Sequence, residues 1–272
     1  MKLSLSNLAL PASTTTAELA GLVALGARGV EVAPTRIAPW DELDAAKLTA
    51  YRDQLASAGL AVSSLQALLF GTTGLHLLQD EAAFVAMGEH LRRVAAIGAG
   101  LGAGIGVFGS PRNRLRGDLA ADAAWDLGRE RLRRLAELVH AEAGFALGLE
   151  PVPAAYGGDY LGSYQEVVQM VRDVGHPGLR VHLDTGCVLL GGGDIGEAVV
   201  VAGDLLGHFH IAEPQLGGFA APRAEHAKAA AALHAAGYAG WRAIEMLQQD
   251  PDPMGAVREA LAFAVGQYSA PA

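Results

Sequence analysis

A short pattern of hydrophobic and polar positions recurs along the chain. Each copy starts near the end of a helical stretch, passes through a glycine into four to six apolar residues, and ends on a polar or charged residue. The copies occupy residues 27–34, 57–66, 102–110, 142–151, 176–184, 205–214 and 238–246. The glycine suits the left-handed residue that ends a helix, and the apolar run suits a strand buried on both faces. With an opening strand over residues 3–7, the pattern predicts eight strands.

The segments between these strands have helical periodicity. In one of them apolar residues recur at the spacing of one helix face, at Phe84, Met87, Leu91, Val94 and Gly98. Alternation of helices with buried strands indicates an α/β protein whose parallel sheet is covered by helices. Eight repeats in 272 residues favour a closed (β/α)8 TIM barrel, as a single domain over residues 1–272, and leave an open doubly wound sheet as the alternative.

Polar side chains end all eight predicted strands, although the residues before them are mostly apolar. In such a barrel the carboxyl ends of the strands converge on one mouth, where the active sites of this fold lie. A core built only for stability would not require polar residues at every one of these positions. In chain order the eight residues are Asn7, Glu31, Gln66, Ser110, Glu150, Asp184, His210 and Glu245.

The last four strand ends hold three carboxylates and one imidazole, at Glu150, Asp184, His210 and Glu245. Gaps of 34, 26 and 35 residues separate them, each about one strand–helix unit. Each residue alone could be an ordinary polar strand end, but carboxylates gathered at one end of an apolar barrel repel one another unless a cation lies among them. The four together therefore predict one divalent metal ion. Oxygen-dominated ligation suits Mn²⁺, Mg²⁺ or Co²⁺, with Zn²⁺ or Fe²⁺ as alternatives.

Composition and charge limit the classes of partner that we expect for this chain. The chain has 20 Lys and Arg against 29 Asp and Glu, which gives a formal charge of −9, and 51% of its residues are hydrophobic. This acidic balance argues against nucleic acid as a partner, because proteins that bind the phosphate backbone gain affinity through Lys and Arg contacts. A single cysteine, Cys187, provides no disulfide framework and fits a reducing compartment.

One segment, residues 94–111, is uncharged and long enough to span a membrane. It is rich in glycine, so we expect a buried helix end that runs into a core strand, with no membrane as partner. The N-terminal segment alternates apolar and polar residues, whereas a signal peptide needs an unbroken apolar stretch. We therefore expect a soluble cytoplasmic protein.

Gly104, Gly106 and Gly109 spell the G-x-G-x-x-G fingerprint of dinucleotide-binding folds. The glycines here span a predicted strand and lead into S-P-R-N-R, whereas the fingerprint opens a helix. We therefore expect no dinucleotide site.

The strand-end motifs resemble those of the xylose isomerase-like TIM barrels, a family of sugar phosphate isomerases and epimerases grouped with the AP endonuclease family 2. The resemblance covers essentially the whole chain and implies that the four residues named above bind one divalent metal ion. Its main motifs are G-L-E-P at 148–151, H-L-D-T-G at 182–186, H-F-H-I-A-E-P at 208–214 and A-I-E-M at 243–246.

The resemblance also implies an activity, that of a metal-dependent isomerase or epimerase acting on a small sugar, ketose or polyol-derived ketone. A metal that chelates the substrate carbonyl and the adjacent hydroxyl would stabilise an enediolate. Glu150 and Glu245 would be the catalytic pair that removes and returns the proton. Family members are often dimers or tetramers, so a homo-oligomer is also an open expectation.

Seven further side chains are candidate substrate ligands, because they end a strand, point inward below the metal set, or follow a strand on a mouth-facing loop: Glu31, Gln66, Arg112, Arg114, His182, His208 and Glu213. The two arginines could receive a phosphate or carboxylate through the guanidinium fork, or simply line a solvated loop. The two histidines could instead orient the metal ligands or be hydrogen-bonded core residues.

Two departures from the family pattern leave the substrate open. Family members commonly carry T-G-H after the sixth-strand Asp, where this chain has Cys187, and many epimerases carry Asp and a nearby Arg where this chain has residues 211–216. A metal-dependent dehydratase (lyase) of the inosose or dehydroshikimate type, on the same site, is the alternative. A non-catalytic binding subunit and an endonuclease are weaker alternatives, the latter because the third and fourth strand ends lack additional His ligands.

Overall fold

The computed structural model describes residues 1–269, and eight strands of this part of the chain form one closed parallel barrel in the order β1 to β8. The last strand pairs with the first and closes the ring. The predicted (β/α)8 fold is therefore confirmed, and the open sheet is excluded. The strands are β1 Lys2–Ser6, β2 Gly29–Val32, β3 Ala61–Leu65, β4 Ile105–Phe108, β5 Ala146–Leu149, β6 Leu179–Asp184, β7 Leu206–Ala212 and β8 Trp241–Glu245.

Helices surround the barrel and bury their apolar faces against it. The face predicted from periodicity in the third segment, from Phe84 to Gly98, is buried along its whole length. The α-helices are α1 Thr16–Ala24, α2 Ala45–Ser57, α3 Glu81–Leu101, α4 Ala121–Ala143, α5 Tyr164–Val174, α6 Thr185–Leu190, α7 Ile195–Ala202, α8 His226–Ala235 and α9 Pro253–Tyr268.

Local sequence signals define the helix ends. Ser163 caps α5, and its hydroxyl and the Glu166 side chain satisfy each other's backbone N–H groups, an arrangement worth about 1 kcal/mol. Gly102 and Gly144 end the two longest helices with φ of 86° and 64°, in the left-handed region that favours glycine. The prediction that glycines end the helices is confirmed at both positions.

The stretch over residues 94–111 is the end of α3 followed by β4, as predicted. Within residues 1–269, no helix combines the length and apolarity that a membrane crossing requires. Gly106 lies inside β4, where a Cβ would come within 2.9 Å of the Phe145 ring. Gly106 therefore permits close packing in the barrel wall, and Gly104 and Gly109 flank β4.

Strand register determines which side chains meet at the mouth. Asp184 of β6 pairs with His210 of β7, and Ala212 of β7 pairs with Glu245 of β8. On the other side of the barrel Ser6 pairs with Glu31. Since side chains in a strand alternate between two faces, these registers bring the polar strand ends to similar levels at the mouth, above a buried layer that is itself polar.

Candidate active site

Four consecutive strands, β5 to β8, deliver the residues of the predicted metal set to one side of the mouth. Glu150 follows β5 directly, Asp184 ends β6, His210 lies near the end of β7 and Glu245 ends β8. The side chains of Glu150 and Glu245 are 12% and 16% exposed, whereas that of His210 is fully buried. The two glutamates therefore border the opening, and the imidazole lies beneath them.

The His210 imidazole is the centre of this group. Its Nδ1 lies 3.1 Å from Glu245 Oε2 and 3.4 Å from Asp184 Oδ2. One ligand atom each from Glu150, Asp184 and His210 all lie within 4.8 Å of one another. Asp184 is held from the other side, because its Oδ1 accepts the backbone N–H of Cys187 at 2.6 Å, at the start of α6.

The pKa values of this group are shifted because its carboxylates are buried close together. Burial raises the pKa of Glu150 well above its usual value, and the charges of Asp184 and Glu245 raise it further. Burial also raises the pKa of Glu245, against the opposing effect of His210. Burial lowers the pKa of His210, but the charges of Glu31 and Glu245 outweigh it, and this pKa lies well above its usual value.

These residues fit a divalent cation. Ligand distances of about 2.0–2.2 Å allow two ligand atoms on one ion to be separated by up to a little over 4 Å, and the atoms here lie within 4.8 Å of one another. A cation among Glu150, Asp184 and Glu245 would also relieve the repulsion that raises the pKa of the two glutamates. Carboxylate oxygens with one imidazole nitrogen form a donor set for a hard or borderline metal.

Glu31 lies beneath the metal set with no exposed surface. Its Oε1 is 2.8 Å from His208 Nε2 and accepts the Ser64 hydroxyl at 2.7 Å, while its Oε2 is 2.7 Å from His210 Nε2. Burial raises the pKa of Glu31, but His210 and His208 lower it more, and the net shift is well below the usual value. A contact from Glu31 to substrate remains a prediction, since both oxygens face imidazoles in this structure.

Gln66 connects this buried layer to the mouth. With its amide oriented to satisfy its neighbours, the nitrogen donates to Glu31 Oε2 at 2.5 Å and to Glu245 Oε1 at 3.2 Å, and the oxygen accepts the Ser6 hydroxyl. The side chain is 1% exposed. Gln66 is thus placed to orient one of the two mouth glutamates.

His182 and His208 face each other on β6 and β7, one layer below Asp184 and His210. The rings of His182 and His210 meet edge to face with centroids 4.2 Å apart. His182 Nε2 is 3.4 Å from Glu150 Oε1, and within residues 1–269 neither of its ring nitrogens has a well-aligned hydrogen-bond partner. His182 therefore lies next to Glu150, whose pKa is raised well above its usual value.

The two arginines after β4 have different surroundings. Arg112 is exposed and borders a groove of about 640 Å³, which also includes Phe70. Arg114 is 1% exposed, and its Nη2 donates to the backbone oxygen of Glu150 at 2.9 Å. Burial lowers the pKa of Arg114 to about 10, and the charge of Glu150 opposes this shift. Only Arg112 lies where a solvent-borne anion reaches it directly.

Glu213 belongs to a separate buried cluster beside the mouth. Its carboxylate lies 2.7 Å from His226 Nε2 and accepts the backbone N–H groups of Arg223 at 2.8 Å and Ala224 at 3.3 Å. His226 Nδ1 in turn lies 2.7 Å from the Tyr268 hydroxyl. In this structure Glu213 holds the loop between β7 and α8 in place through these hydrogen bonds. A contact between Glu213 and substrate remains a prediction.

Comparison with known families identifies the fold family. The sequence matches the model of the xylose isomerase-like TIM barrel over residues 19–265. The chain belongs to this family. A search of curated proteins found no sequence match.

Solved structures share the barrel at low sequence identity. The D-psicose 3-epimerase with D-tagatose from Clostridium cellulolyticum H10 is 16% identical, with 99% of this chain and 100% of that chain covered and a TM-score of 0.82. The D-allulose 3-epimerase from Methylomonas sp. in complex with D-allulose is 22% identical, with 98% and 97% covered and a TM-score of 0.78. The probable 3-DHS dehydratase AsbF from Bacillus anthracis is 13% identical, with 98% of each chain covered and a TM-score of 0.72. These likenesses establish a shared fold.

Sequence reasoning missed two buried serines of this xylose isomerase-like barrel. Ser64 donates to Glu31, and Ser6 bonds the Gln66 amide. Ser64 lies two positions before Gln66, and His208 lies two positions before His210. The same alternation that placed His208 inward would have placed Ser64 beneath Gln66.

Proposed function

We propose that this protein is a divalent-metal-dependent isomerase or epimerase that moves a proton at a carbon next to the carbonyl of a small sugar, ketose or polyol-derived ketone. The observation that carries the proposal is the group of three carboxylates around His210 at the barrel mouth. Family membership supports it, and so does the position of the group at the carboxyl ends of the strands.

Glu150 and Glu245 are the proposed acid–base pair. They border the opening from β5 and β8, and the side chain of each is partly open to it. One carboxylate, in its ionised form, takes the proton from the carbon beside the carbonyl, while the other begins protonated. The electron pair of the broken C–H bond becomes the C=C bond to the carbonyl carbon, and the carbonyl π pair moves onto its oxygen to form an enediolate. Return of a proton from the other carboxylate inverts the centre, and return at the neighbouring carbon isomerises the sugar.

The four ligands Glu150, Asp184, His210 and Glu245 would hold one divalent ion, for which Mn²⁺, Mg²⁺ and Co²⁺ are the proposed metals and Zn²⁺ or Fe²⁺ the alternatives. When bound, the ion supplies the positive charge that stabilises oxygen anions on the substrate. Asp184 and His210 are nearly closed to solvent, so their part is to fix the position of that charge.

Substrate contacts are proposed for residues on the open side of the mouth. Arg112 is exposed beside the groove next to β4 and would meet an anionic or hydroxyl-rich group through its guanidinium fork. Gln66 and His182 touch Glu245 and Glu150, and they would orient these carboxylates toward the reacting carbon.

The test is solvent deuterium exchange. The protein, freed of metal by chelation and reloaded separately with Mn²⁺, Mg²⁺ or Co²⁺, is incubated in D₂O with D-fructose, D-tagatose and D-psicose, and products are followed by NMR and mass spectrometry. We expect metal-dependent incorporation of deuterium at a carbon next to the carbonyl. Glu150→Gln and Glu245→Gln should each lower the rate by about 10²–10⁴-fold.

An exposed carboxylate on α4 provides the control, since Glu142→Gln removes one negative charge far from the mouth. Exchange that persists in both catalytic variants, or in the presence of excess chelator, would contradict the two-glutamate mechanism. Loss of water from an inosose or dehydroshikimate without any epimerised ketose would instead favour the dehydratase alternative on the same site.

A further inference from the structure

A groove beside the mouth lies between the segments that follow β3 and β4, with a volume of about 640 Å³. This volume is typical of small-molecule sites, which range over about 300–1,000 Å³. One wall begins at Ser110, directly after Gly109, which packs against the Glu150 carboxylate. The other begins at Ala67, directly after the mouth residue Gln66. A sugar whose carbonyl end lies beside Glu150 therefore extends toward this groove.

The backbone at the start of both walls has a conformation that residues other than glycine rarely adopt. The angle φ is 53° at Ala67 and 46° at Ser110, in the left-handed region. Such conformations persist only where the surrounding structure enforces them, and they cluster at ligand sites. Asn113 joins the two walls, because its Nδ2 donates to Leu75 O at 2.8 Å and its backbone oxygen accepts the Leu77 N–H at 2.7 Å. The groove is therefore built before any ligand binds.

An aromatic ring lies open at the edge of the groove. Phe70 is 69% exposed, although hydrogen bonds hold the backbone around it. Its carbonyl oxygen accepts the Trp40 indole N–H at 2.7 Å, and its own N–H donates to Ala67 O at 3.0 Å. The neighbouring oxygen of Leu68 lies 2.8 Å from Nε2 of His90. The ring is thus presented to solvent by a fixed loop, as an apolar surface for the C–H groups of a sugar.

The groove is locally positive in an acidic chain. Its lining within residues 1–269 includes the exposed Arg112 and no carboxylate, whereas the chain as a whole has a formal charge of −9. Among the described residues the Arg112 guanidinium forms no ion pair, so its N–H groups are open to a ligand. A guanidinium binds phosphate or carboxylate through two parallel hydrogen bonds.

We infer that this groove is the subsite for the far end of the substrate and selects a ketose with an anionic group, a phosphate or a carboxylate, opposite its carbonyl end. Arg112 binds the anion, and Phe70 packs against the sugar chain. The inference rests on the proposed function, because it assumes that the carbonyl end lies beside the mouth glutamates. It narrows the substrate class from small sugars to acidic ones.

Three ketoses that differ only at C6 test the inference. D-fructose, D-fructose 6-phosphate and D-fructuronate carry a hydroxyl group, a phosphate and a carboxylate there. Calorimetry with the Co²⁺-loaded protein should show at least one of the two acids binding about tenfold or more tightly than D-fructose, and the tighter acid identifies the anion. Arg112→Gln should abolish this preference and leave D-fructose affinity within about twofold. Arg129→Gln is the control, since it removes an exposed charge from α4, and it should keep the preference.

Phe70→Ala should weaken binding of all three ketoses about 2–10-fold. The control is Val200→Ala, which shortens an apolar side chain of α7 that is 72% exposed, and it should leave their affinities unchanged. A Phe70→Ala variant with altered sedimentation and unaltered ketose affinity would instead assign the ring to a contact between copies of the chain, and would overturn its role here.

The outcomes separate this inference from the proposed function. Equal affinity of the wild-type protein for the three ketoses, or an anion preference that persists in Arg112→Gln, would overturn the inference alone if D-fructose still exchanges deuterium. Absence of metal-dependent exchange with all three ketoses would overturn the proposed function, whatever their affinities.

Discussion

Gly109 is one of the residues on which the position of Glu150 depends. It follows β4 and packs against the carboxylate of Glu150, and a Cβ at this position would overlap Glu150 Oε2. Its φ lies outside the left-handed region, so an alanine there would be accepted by the backbone. The glycine therefore provides space for the proposed catalytic carboxylate, and a side chain would have to push it aside.

Gly109→Ala should weaken divalent-metal affinity and lower deuterium exchange by at least tenfold, since displacements of about 1 Å at a catalytic group can reduce rates about 100-fold. Gly104→Ala is the control, because a Cβ there meets nothing within 4 Å. Calorimetry and the exchange assay on both variants check the prediction. Equal metal affinity and equal rates in the two variants would show that the Glu150 side chain can adopt another position without loss of function.

At the scale of single residues, the sequence indicated which side chains end strands but not where their tips lie. Glu31 and Arg114 both follow patterns that place them near the mouth, yet both are buried, one against two imidazoles and the other against the backbone of Glu150. Strand periodicity gives the face on which a side chain lies. Its rotamer depends on partners from other strands, and these become neighbours only after the barrel closes.

At the scale of elements, α3 illustrates how packing overrides helix propensity. Gly98 lies inside this helix, and a Cβ there would lie 2.5 Å from Phe145 Cε2 and 3.1 Å from the backbone oxygen of Ala103. Glycine is unfavourable within a helix by up to about 1 kcal/mol relative to alanine. Its presence is explained by the close approach of α3 to the start of β5.

Gly98→Ala should therefore destabilise the protein by about 1–3 kcal/mol, the usual effect of overpacking, although alanine is the better helix former. Gly100→Ala in the same helix should be neutral or stabilising by up to about 1 kcal/mol, because its Cβ would meet Leu48 Cδ1 at an ordinary 3.6 Å. Urea unfolding of both variants measures the difference. Stabilisation by Gly98→Ala would contradict the packing argument.

The loop between β7 and α8 depends on Glu213 in a similar way. This carboxylate joins the backbone of residues 223–224 to His226. Glu213→Gln should lower the free energy of unfolding by about 1.5–3 kcal/mol, the range for hydrogen bonds to charged groups. It should also speed proteolytic cleavage within residues 217–225. Unchanged stability together with unchanged cleavage would show that the loop is held elsewhere.

The sequence was most informative about the secondary-structure elements. The recurring glycine and apolar run located seven strands and the opening segment 3–7 the eighth; seven observed strands lie inside the predicted segments and β1 differs by one residue, because parallel strands covered on both faces are mostly apolar. The register shift between Val181 and His182 pairs Asp184 with His210, and the sequence could not predict this shift. Register depends on the neighbouring strand and on how the barrel closes.

At the scale of the whole molecule, stability should depend on pH and metal together. The pKa values of Glu150, Glu245 and His210 are raised in the folded protein without metal. Each contribution is present below the ordinary pKa and is lost as pH rises through the folded value, so the metal-free protein weakens with rising pH. The lowered pKa of Glu31 acts oppositely: its contribution is fully present above the ordinary carboxyl pKa and is lost as pH falls from there toward the folded value.

A bound cation keeps the carboxylates ionised, so the folded protein no longer loses stability as the pH rises. At low pH, protons compete with the cation for the carboxylates. Thermal unfolding with Co²⁺ at about 100 times its Kd should show a rise in Tm of about 5–10 °C at pH 7.5, relative to chelator. The rise should be clearly smaller at pH 5.5, and the double variant Glu150→Gln/Glu245→Gln should lose most of it. An equal or larger rise at pH 5.5 would contradict the assignment of these carboxylates as ligands.

We propose that one divalent ion binds among Glu150, Asp184, His210 and Glu245. Anomalous diffraction from crystals of the full chain soaked in Mn²⁺ tests it directly. We expect a single strong peak at the mouth, about 2.0–2.3 Å from a carboxylate oxygen of each acidic residue and from His210 Nδ1. Saturating Mn²⁺ that leaves this position without a peak, or a peak held by other residues, would contradict it.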